Sequence, residues 1–253
     1  MNFLKILKKS VIDSQLYVSL TGTLFAVFFM EEQNTFRWPS VLLIFITYFS
    51  GYIYTKYQKT RHFIKILILN AMAGIICALL IIINHNEIRL LKWFIIVVLG
   101  LLYNSFFLDV YIRKIPLLKV FYVGMVWALV NCWLTLHEFS IPIFLISFFY
   151  ITALVLPFDI RDMKVDTVKT FPTIIGVQNT KYLAYTLVLI SCILSAAYLK
   201  SMYATAYFFS GAVTFILIYF SENKRNDSYF SFGVESCSAL PFLFLLILSI
   251  FDK

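Results

Sequence analysis

Residues 63–83 read FIKILILNAMAGIICALLIII, a stretch in which Lys65 and Asn70 are the strongly polar side chains. A helix needs roughly 20 predominantly apolar residues to cross a hydrocarbon core of about 30 Å. The stretch is long enough, and it carries a single charge close to its start. We therefore predict a membrane-spanning helix here, and the flanking sequence can be examined by the same criterion.

Eight further apolar runs lie on either side of this stretch, and none alternates with the two-residue period of a membrane barrel strand. They fall at about residues 11–30, 39–55, 89–108, 118–136, 141–157, 181–199, 202–220 and 233–251. The chain is 61% hydrophobic and 13% charged, whereas soluble domains are about 25% charged. This composition excludes a soluble nucleic-acid-binding module. We predict an all-α, polytopic membrane protein with nine transmembrane helices in one domain, residues 1–253.

The basic residues are unevenly divided between the two predicted sides of the membrane. Sixteen of the 21 lie in the N-terminal tail and around the loops that follow the second, fourth, sixth and eighth predicted helices. The other five are Arg37, Arg89, Lys92, Lys200 and Lys253. Because cytoplasmic loops are enriched in Lys and Arg, this division predicts a cytoplasmic N-terminus and a C-terminus across the cytoplasmic membrane. It also accounts for most of the net charge of +8.

A cluster of acidic residues follows the sixth predicted helix. Asp159, Asp162 and Asp166 have the spacing i, i+3 and i+7, so a helix that continued past its membrane end would place them on one face. Three close carboxylates suit a hard divalent cation such as Mg²⁺, which binds carboxylates together with water and phosphate oxygens. The alternative is a solvated loop whose neighbouring basic residues neutralise the acids. The spacing alone leaves both open.

The same segment resembles a known family motif. DIRDMKVD at residues 159–166, followed by KTFPTIIG at 169–176, is similar to the second aspartate-rich motif of the UbiA superfamily of intramembrane aromatic prenyltransferases. Its place after the sixth of nine helices matches that family. LGLLYN at 99–104, RKIPLLK at 113–119 and VWA at 126–128 resemble the family's segment between helices 4 and 5.

This resemblance implies a helical bundle with a central cavity, in which Mg²⁺ and two aspartate-rich motifs grip a polyprenyl diphosphate. Diphosphate departs, an allylic carbocation develops, and a membrane-soluble acceptor attacks it. By position Asp159, Asp162 and Asp166 would be the metal ligands. The candidate diphosphate contacts are Arg113, Lys114, Lys119 and Lys169.

The family's first aspartate-rich motif is missing. The end of the second helix reads FSGYIYTKYQK at residues 49–59, and no Asp or Glu occurs between Glu32 and Glu87. One hypothesis is that Lys56 and Arg61, with Lys59, contact the diphosphate in its place. A second is that the protein binds a lipid or assists a partner without ionising a diphosphate. Lys56, Lys59 and Arg61 also fit ordinary topological charge.

Tyrosines accompany these basic residues at the end of the second helix. Tyr52, Tyr54 and Tyr57 fit the aromatic belt found where helices meet the membrane interface. A contact with substrate is the less favoured interpretation.

Overall fold

The computed structural model describes residues 15–104, 115–166 and 168–251, and every regular element in them is helical. Apolar runs without a strand period form helices in a membrane because each backbone N–H must then find its acceptor within its own segment. The nine α-helices of the described residues are α1 Leu16–Glu32, α2 Trp38–Tyr57, α3 Phe63–Ile83, α4 Glu87–Asn104, α5 Leu118–Leu129, α6 Ile141–Asp162, α7 Phe171–Tyr198, α8 Ser201–Tyr219 and α9 Leu240–Phe251. Two π-helical segments, Val130–Leu134 and Tyr229–Val234, extend α5 and precede α9.

Each predicted apolar run overlaps one of these helices. Four helices of the described residues, α3, α6, α7 and α8, are both long and apolar enough to cross a membrane, while Leu118–Leu134 and Leu240–Phe251 are shorter apolar helices. The protein is therefore an all-α, multi-pass membrane protein. Nine complete crossings remain a prediction.

Helix α7 begins ten residues earlier than its predicted apolar run. Its first turn, which starts with Phe171 and Pro172, precedes a kink at Gly176, whose φ of 81° and ψ of 160° are not helical. Glycine tolerates this backbone conformation because it has no Cβ. The polar residues 178–180 separate the kink from the predicted run, so the hydropathy pattern missed the first part of the helix.

The core lies where α1 packs among α6, α7, α8 and α9. The side chains of Phe25, Phe28, Tyr150 and Tyr207 are completely buried there. The two tyrosine hydroxyls are also hydrogen-bonded, Tyr150 Oη to the Cys237 carbonyl at 2.9 Å and Tyr207 Oη to Ser191 Oγ at 2.8 Å. In an apolar surrounding an unpaired hydroxyl would be costly, so these bonds allow the tyrosines to pack in the core.

Helix α3 has the opposite character, because it is the most apolar of the candidate spans yet buries only Cys77 and Ile81. Ile64 and Ile83, near its two ends, are 72% and 70% exposed. A soluble protein rarely leaves so large an apolar surface uncovered. The exposed face fits contact with lipid tails.

Several basic residues of the less charged side have structural partners. Arg89 donates to the Leu134 carbonyl at 3.0 Å, the Thr135 carbonyl at 3.3 Å and Ser40 Oγ at 2.8 Å. Lys92 Nζ donates to the Leu136 and His137 carbonyls at 3.3 and 3.2 Å. These carbonyls lie at the C-terminal end of the helix formed by α5 and its π-helical extension. Cations are favourable there because they interact with the unpaired carbonyls of the last turn. Arg89 and Lys92 thus tie α4 to α2 and to the end of α5.

Gly124 allows the closest approach between α5 and α6. A Cβ added there would lie 2.2 Å from Thr152 Oγ1 and 3.1 Å from the Phe148 carbonyl oxygen. Small residues at such contacts let membrane helices pack closely. We expect Gly124→Ala to lower the free energy of unfolding by about 1–3 kcal/mol through overpacking. Thermal unfolding in detergent checks this, with Gly51→Ala as the control because its added Cβ meets nothing within 4 Å. Equal stability of the two variants would contradict the close α5–α6 contact.

Candidate functional site

A cavity of about 670 Å³ lies between helices α1 to α6 and the π-helical segment before α9. Most of its wall is apolar or aromatic, including Tyr48, Trp93 and Trp127. The charged side chains that line it are Lys119, Arg161, Asp162 and Glu235. Helix α5 begins and α6 finishes at these residues, so we call this end of the bundle the motif end. The cavity thus joins an apolar chamber to a charged end.

Lys119 lies between two of the three aspartates of the acidic cluster. Its Nζ is 2.8 Å from Asp159 Oδ1 and 3.1 Å from Asp166 Oδ2. Asp159 is buried, with its side chain 1% exposed, whereas Lys119 is 22% and Asp166 27% exposed. One cation, carried by the start of α5, therefore bridges two carboxylates at the end of α6. This contact also fixes the two helices to each other at the motif end.

Asp162 is paired with its neighbour Arg161. The guanidinium Nε and Nη2 donate to the two carboxylate oxygens at 2.7 and 2.8 Å, the two-bond fork that arginine and carboxylate geometry favours. The guanidinium also lies over the rings of Phe158 and Phe230, at 5.2 and 5.8 Å from their centroids. Arg161 is therefore held from two directions beside the cavity.

The helix does not continue through the acidic cluster. Helix α6 ends at Asp162, and a turn follows in which the Asp166 N–H donates to the Asp162 carbonyl at 2.9 Å. The continuous helical face that the spacing suggested is not formed. The turn nevertheless returns the Asp166 carboxylate to the ammonium that Asp159 also contacts. The predicted proximity of these two carboxylates therefore arises by a different route.

Comparison with known proteins identifies the architecture. No protein-family model and no curated protein sequence matches the chain. Among solved structures, a UbiA homologue from Archaeoglobus fulgidus bound to GPP and Mg²⁺ matches with a TM-score of 0.62 at 13% identity, covering 95% of this chain and 98% of that one. Digeranylgeranylglyceryl phosphate synthase matches with a TM-score of 0.59 at 15% identity, covering 98% of each chain. The fold is UbiA-like, as in these solved structures. The resemblance drawn from the acidic motif is confirmed at the level of the fold.

The site can be tested for a metal by the donors that this UbiA-type fold brings together. Among the residues that the structure describes, no group of three or more His, Cys, Asp or Glu side chains is arranged to hold a metal ion. The ammonium of Lys119 shows, however, that one cation can contact Asp159 and Asp166 at once. Carboxylate oxygens are the donors that Mg²⁺ prefers. The residues therefore fit a cation whose binding displaces Lys119.

The other predicted contacts that the structure describes do not line the cavity. Lys56 is exposed, with Nζ 5.9 Å from the centroid of the Tyr57 ring, and Arg61 is exposed, with Nε donating to His62 Nε2 at 3.2 Å. Neither lines the cavity wall. Lys169 is exposed as well, and Arg113 and Lys114 lie outside the described residues. Of the predicted diphosphate contacts in the described residues, Lys119 is the one that lines the cavity.

Three cavity residues were not anticipated as site residues. Tyr52 and Tyr54 line the wall, although an interface position was the favoured interpretation, and Tyr52 Oη accepts a hydrogen bond from Trp127 Nε1 at 3.2 Å. Glu235 places a carboxylate at the motif end from the start of the last apolar run. The sequence places Glu235 near the start of the predicted apolar run 233–251, but hydropathy could not show which face the side chain occupies.

Proposed function

We propose that the protein binds a polyprenyl diphosphate in the cavity and transfers the prenyl group to an acceptor within the membrane. The observation that carries this proposal is the cavity itself, in which an apolar and aromatic wall leads to Lys119, Arg161, Asp162 and Glu235. Its volume of about 670 Å³ lies in the usual range for sites that enclose small molecules. A prenyl chain suits the wall, and a charged head suits the motif end.

The reaction breaks the allylic C–O bond and releases diphosphate with the electron pair. A bond then forms between the allylic carbon and the acceptor, and the acceptor loses a proton. Tyr48, Tyr52 and Trp127 line the cavity that we propose for the prenyl chain. Their aromatic rings can stabilise positive charge on the allylic carbon. Glu235 is the cavity carboxylate best placed to receive the acceptor's proton, because Asp162 is engaged by Arg161.

The net charge of the motif end determines whether a diphosphate can bind there without an accompanying cation. Among the described side chains that line this end of the cavity or pair with one that does, two basic ones, Lys119 and Arg161, stand against four acidic ones, a formal net charge of −2. The four acids are Asp159, Asp162, Asp166 and Glu235. A diphosphate anion is repelled by this balance unless a cation accompanies it. Mg²⁺ held by Asp159 and Asp166 would supply that charge and offset the negative charge of the leaving diphosphate.

Arg161 and Lys119 complete the head-group contacts of this proposal. A guanidinium can fork onto two phosphate oxygens, and an ammonium donates to them as a compact charge. Lys119 lines the cavity, so once it leaves the two carboxylates its donors face the head group. By the division of basic residues the motif end faces the cytoplasm, the side from which we propose that the diphosphate and Mg²⁺ are taken.

The second candidate is a lipid-binding or accessory protein of the same fold that ionises no diphosphate. One observation favours it: no Asp or Glu lies between Glu32 and Glu87, so α2 brings no carboxylate to the motif end. Of the two aspartate-rich motifs, the sequence carries the one after α6. Incubating the detergent-purified protein with prenyl diphosphates of several chain lengths and membrane acceptors separates the two. Diphosphate release supports transfer, and bound prenyl lipid without release supports the second candidate.

Filling the cavity tests where the prenyl chain binds. Gly100 of α4 lines the wall, and a Cβ added there meets nothing within 4 Å. We expect Gly100→Leu to weaken binding of a long-chain prenyl diphosphate by roughly tenfold, since it takes volume from the chain, while a short chain binds as before. Competition against a radiolabelled donor measures both affinities. Unchanged affinity for long chains, with normal thermal stability, would place the chain elsewhere.

A further inference from the structure

We propose that Lys119 couples the binding of a divalent cation to the binding of diphosphate, so that each ligand binds well only in the presence of the other. This inference rests on the proposed function and assigns a regulatory role to one residue of that site. In the structure the ammonium of Lys119 lies between Asp159 and Asp166. A metal ion can use both carboxylates only after the ammonium has left them.

The geometry sets up this competition directly. The nitrogen of Lys119 is 2.8 Å from one carboxylate and 3.1 Å from the other, so a metal ion bridging the same two groups would overlap it or face its charge. Asp159 is buried and cannot turn to water. A divalent cation that arrives alone must therefore move a half-buried ammonium away from both of its carboxylate partners without offering it a new one, and the loss of these two contacts opposes metal binding.

A diphosphate removes this obstacle. Lys119 lines the cavity, and its flexible side chain can carry the ammonium from the carboxylates to phosphate oxygens. Arg161 is less suited to such exchange, because its fork to Asp162 and its two ring contacts hold it in place. The diphosphate thus frees the carboxylates for the metal, and the metal releases the ammonium for the diphosphate. Linkage requires the two effects to be equal.

The experiment uses Mn²⁺ and inorganic diphosphate with the detergent-purified protein, and it measures bound Mn²⁺ by electron paramagnetic resonance. In the unaltered protein we expect weak Mn²⁺ binding that tightens roughly tenfold or more when diphosphate is added, a coupling of the usual allosteric size. In Lys119→Met the ammonium is absent, so Mn²⁺ should bind more tightly alone than in the unaltered protein. The tightening by diphosphate should then be at least roughly threefold smaller, leaving only the part that direct attraction between Mn²⁺ and diphosphate supplies.

Lys181→Met is the matched control. Lys181 is another lysine whose ammonium has a close polar contact, from Nζ to the Tyr219 carbonyl at 2.7 Å, and this contact does not involve the acidic cluster. It should retain the weak binding and the coupling of the unaltered protein. Asp166→Asn, a change at a partly exposed residue, should lose Mn²⁺ binding with and without diphosphate, which keeps the test informative if Lys119→Met fails to fold.

Two results would overturn the coupling. One is the same Mn²⁺ affinity with and without diphosphate in the unaltered protein, and the other is unchanged coupling in folded Lys119→Met. Neither measurement involves a prenyl chain or an acceptor. A failure of prenyl transfer would therefore leave the coupled Mn²⁺ site intact, whereas a failure of the coupling would leave prenyl transfer to be measured separately.

Discussion

Asp159→Asn is expected to lower the rate of prenyl transfer by roughly a hundredfold or more, the usual effect of removing one preorganised electrostatic group from a transition state. Asp159 is the buried member of the carboxylate pair that Lys119 bridges. Its amide replacement lacks the negative charge that would hold a divalent cation beside the departing diphosphate. Measuring diphosphate release over time, with saturating donor and Mg²⁺, gives the rate directly.

The variant needs a structural control because Asp159 also joins α6 to the start of α5. Lys119 keeps its contact with Asp166 in Asp159→Asn, so we expect the bundle to remain folded. Glu87→Gln is the matched variant: it removes an exposed carboxylate at the start of α4, far along the chain from the acidic cluster, and should leave the rate unchanged. An undiminished rate in folded Asp159→Asn would remove this carboxylate from the proposed reaction.

Arg89→Met is expected to lower the free energy of unfolding by about 3 kcal/mol, since it removes charge-assisted hydrogen bonds and leaves polar groups without donors. Arg89 bonds to the Leu134 and Thr135 carbonyls and to Ser40, and so joins α4 to α5 and α2. The cavity lies between these same helices, so the loss should also loosen its wall.

Chemical unfolding in detergent, followed by tryptophan fluorescence, measures the effect. Arg37→Met is the control, because Arg37 is an exposed cation at the start of α2, and its removal should change stability by less than about 0.5 kcal/mol. If Arg89→Met and Arg37→Met have similar free energies of unfolding, the hydrogen bonds of Arg89 do not stabilise the bundle. A greater loss of free energy of unfolding in Arg89→Met supports the role of Arg89 in joining the helices.

The positions of the helices were largely predictable, because the membrane solvent imposes a length and a composition on each segment. The run at residues 63–83 coincides with α3, Phe63–Ile83. The start of α7 was not predictable in the same way, since the kink at Gly176 and the polar residues 178–180 separate it from the apolar run. Hydropathy also says nothing of side-chain partners, so Arg89 looked like a charge on the less basic side.

The candidate site was predictable in its residue types but not in its pairing. The spacing of Asp159 and Asp166 suggested proximity, which the structure shows through a turn instead of a helical face. The ion pair with Lys119 joins residues 40 or more positions apart, a relation that no local pattern contains. Lys56 and Arg61 were candidates to replace the missing motif, and both are exposed. Their exposure depends on how α2 is rotated in the bundle and on the path of the chain after it, which no local sequence pattern shows.

The most direct test of the central claim is diphosphate release by the unaltered protein, measured with a prenyl diphosphate and a pool of membrane acceptors, first with Mg²⁺ and then with a chelator. The proposal predicts release and a prenylated product with Mg²⁺, and loss of both on chelation, because the acidic balance of the motif end repels a diphosphate that brings no cation. Release that continues undiminished in the chelator would contradict the account.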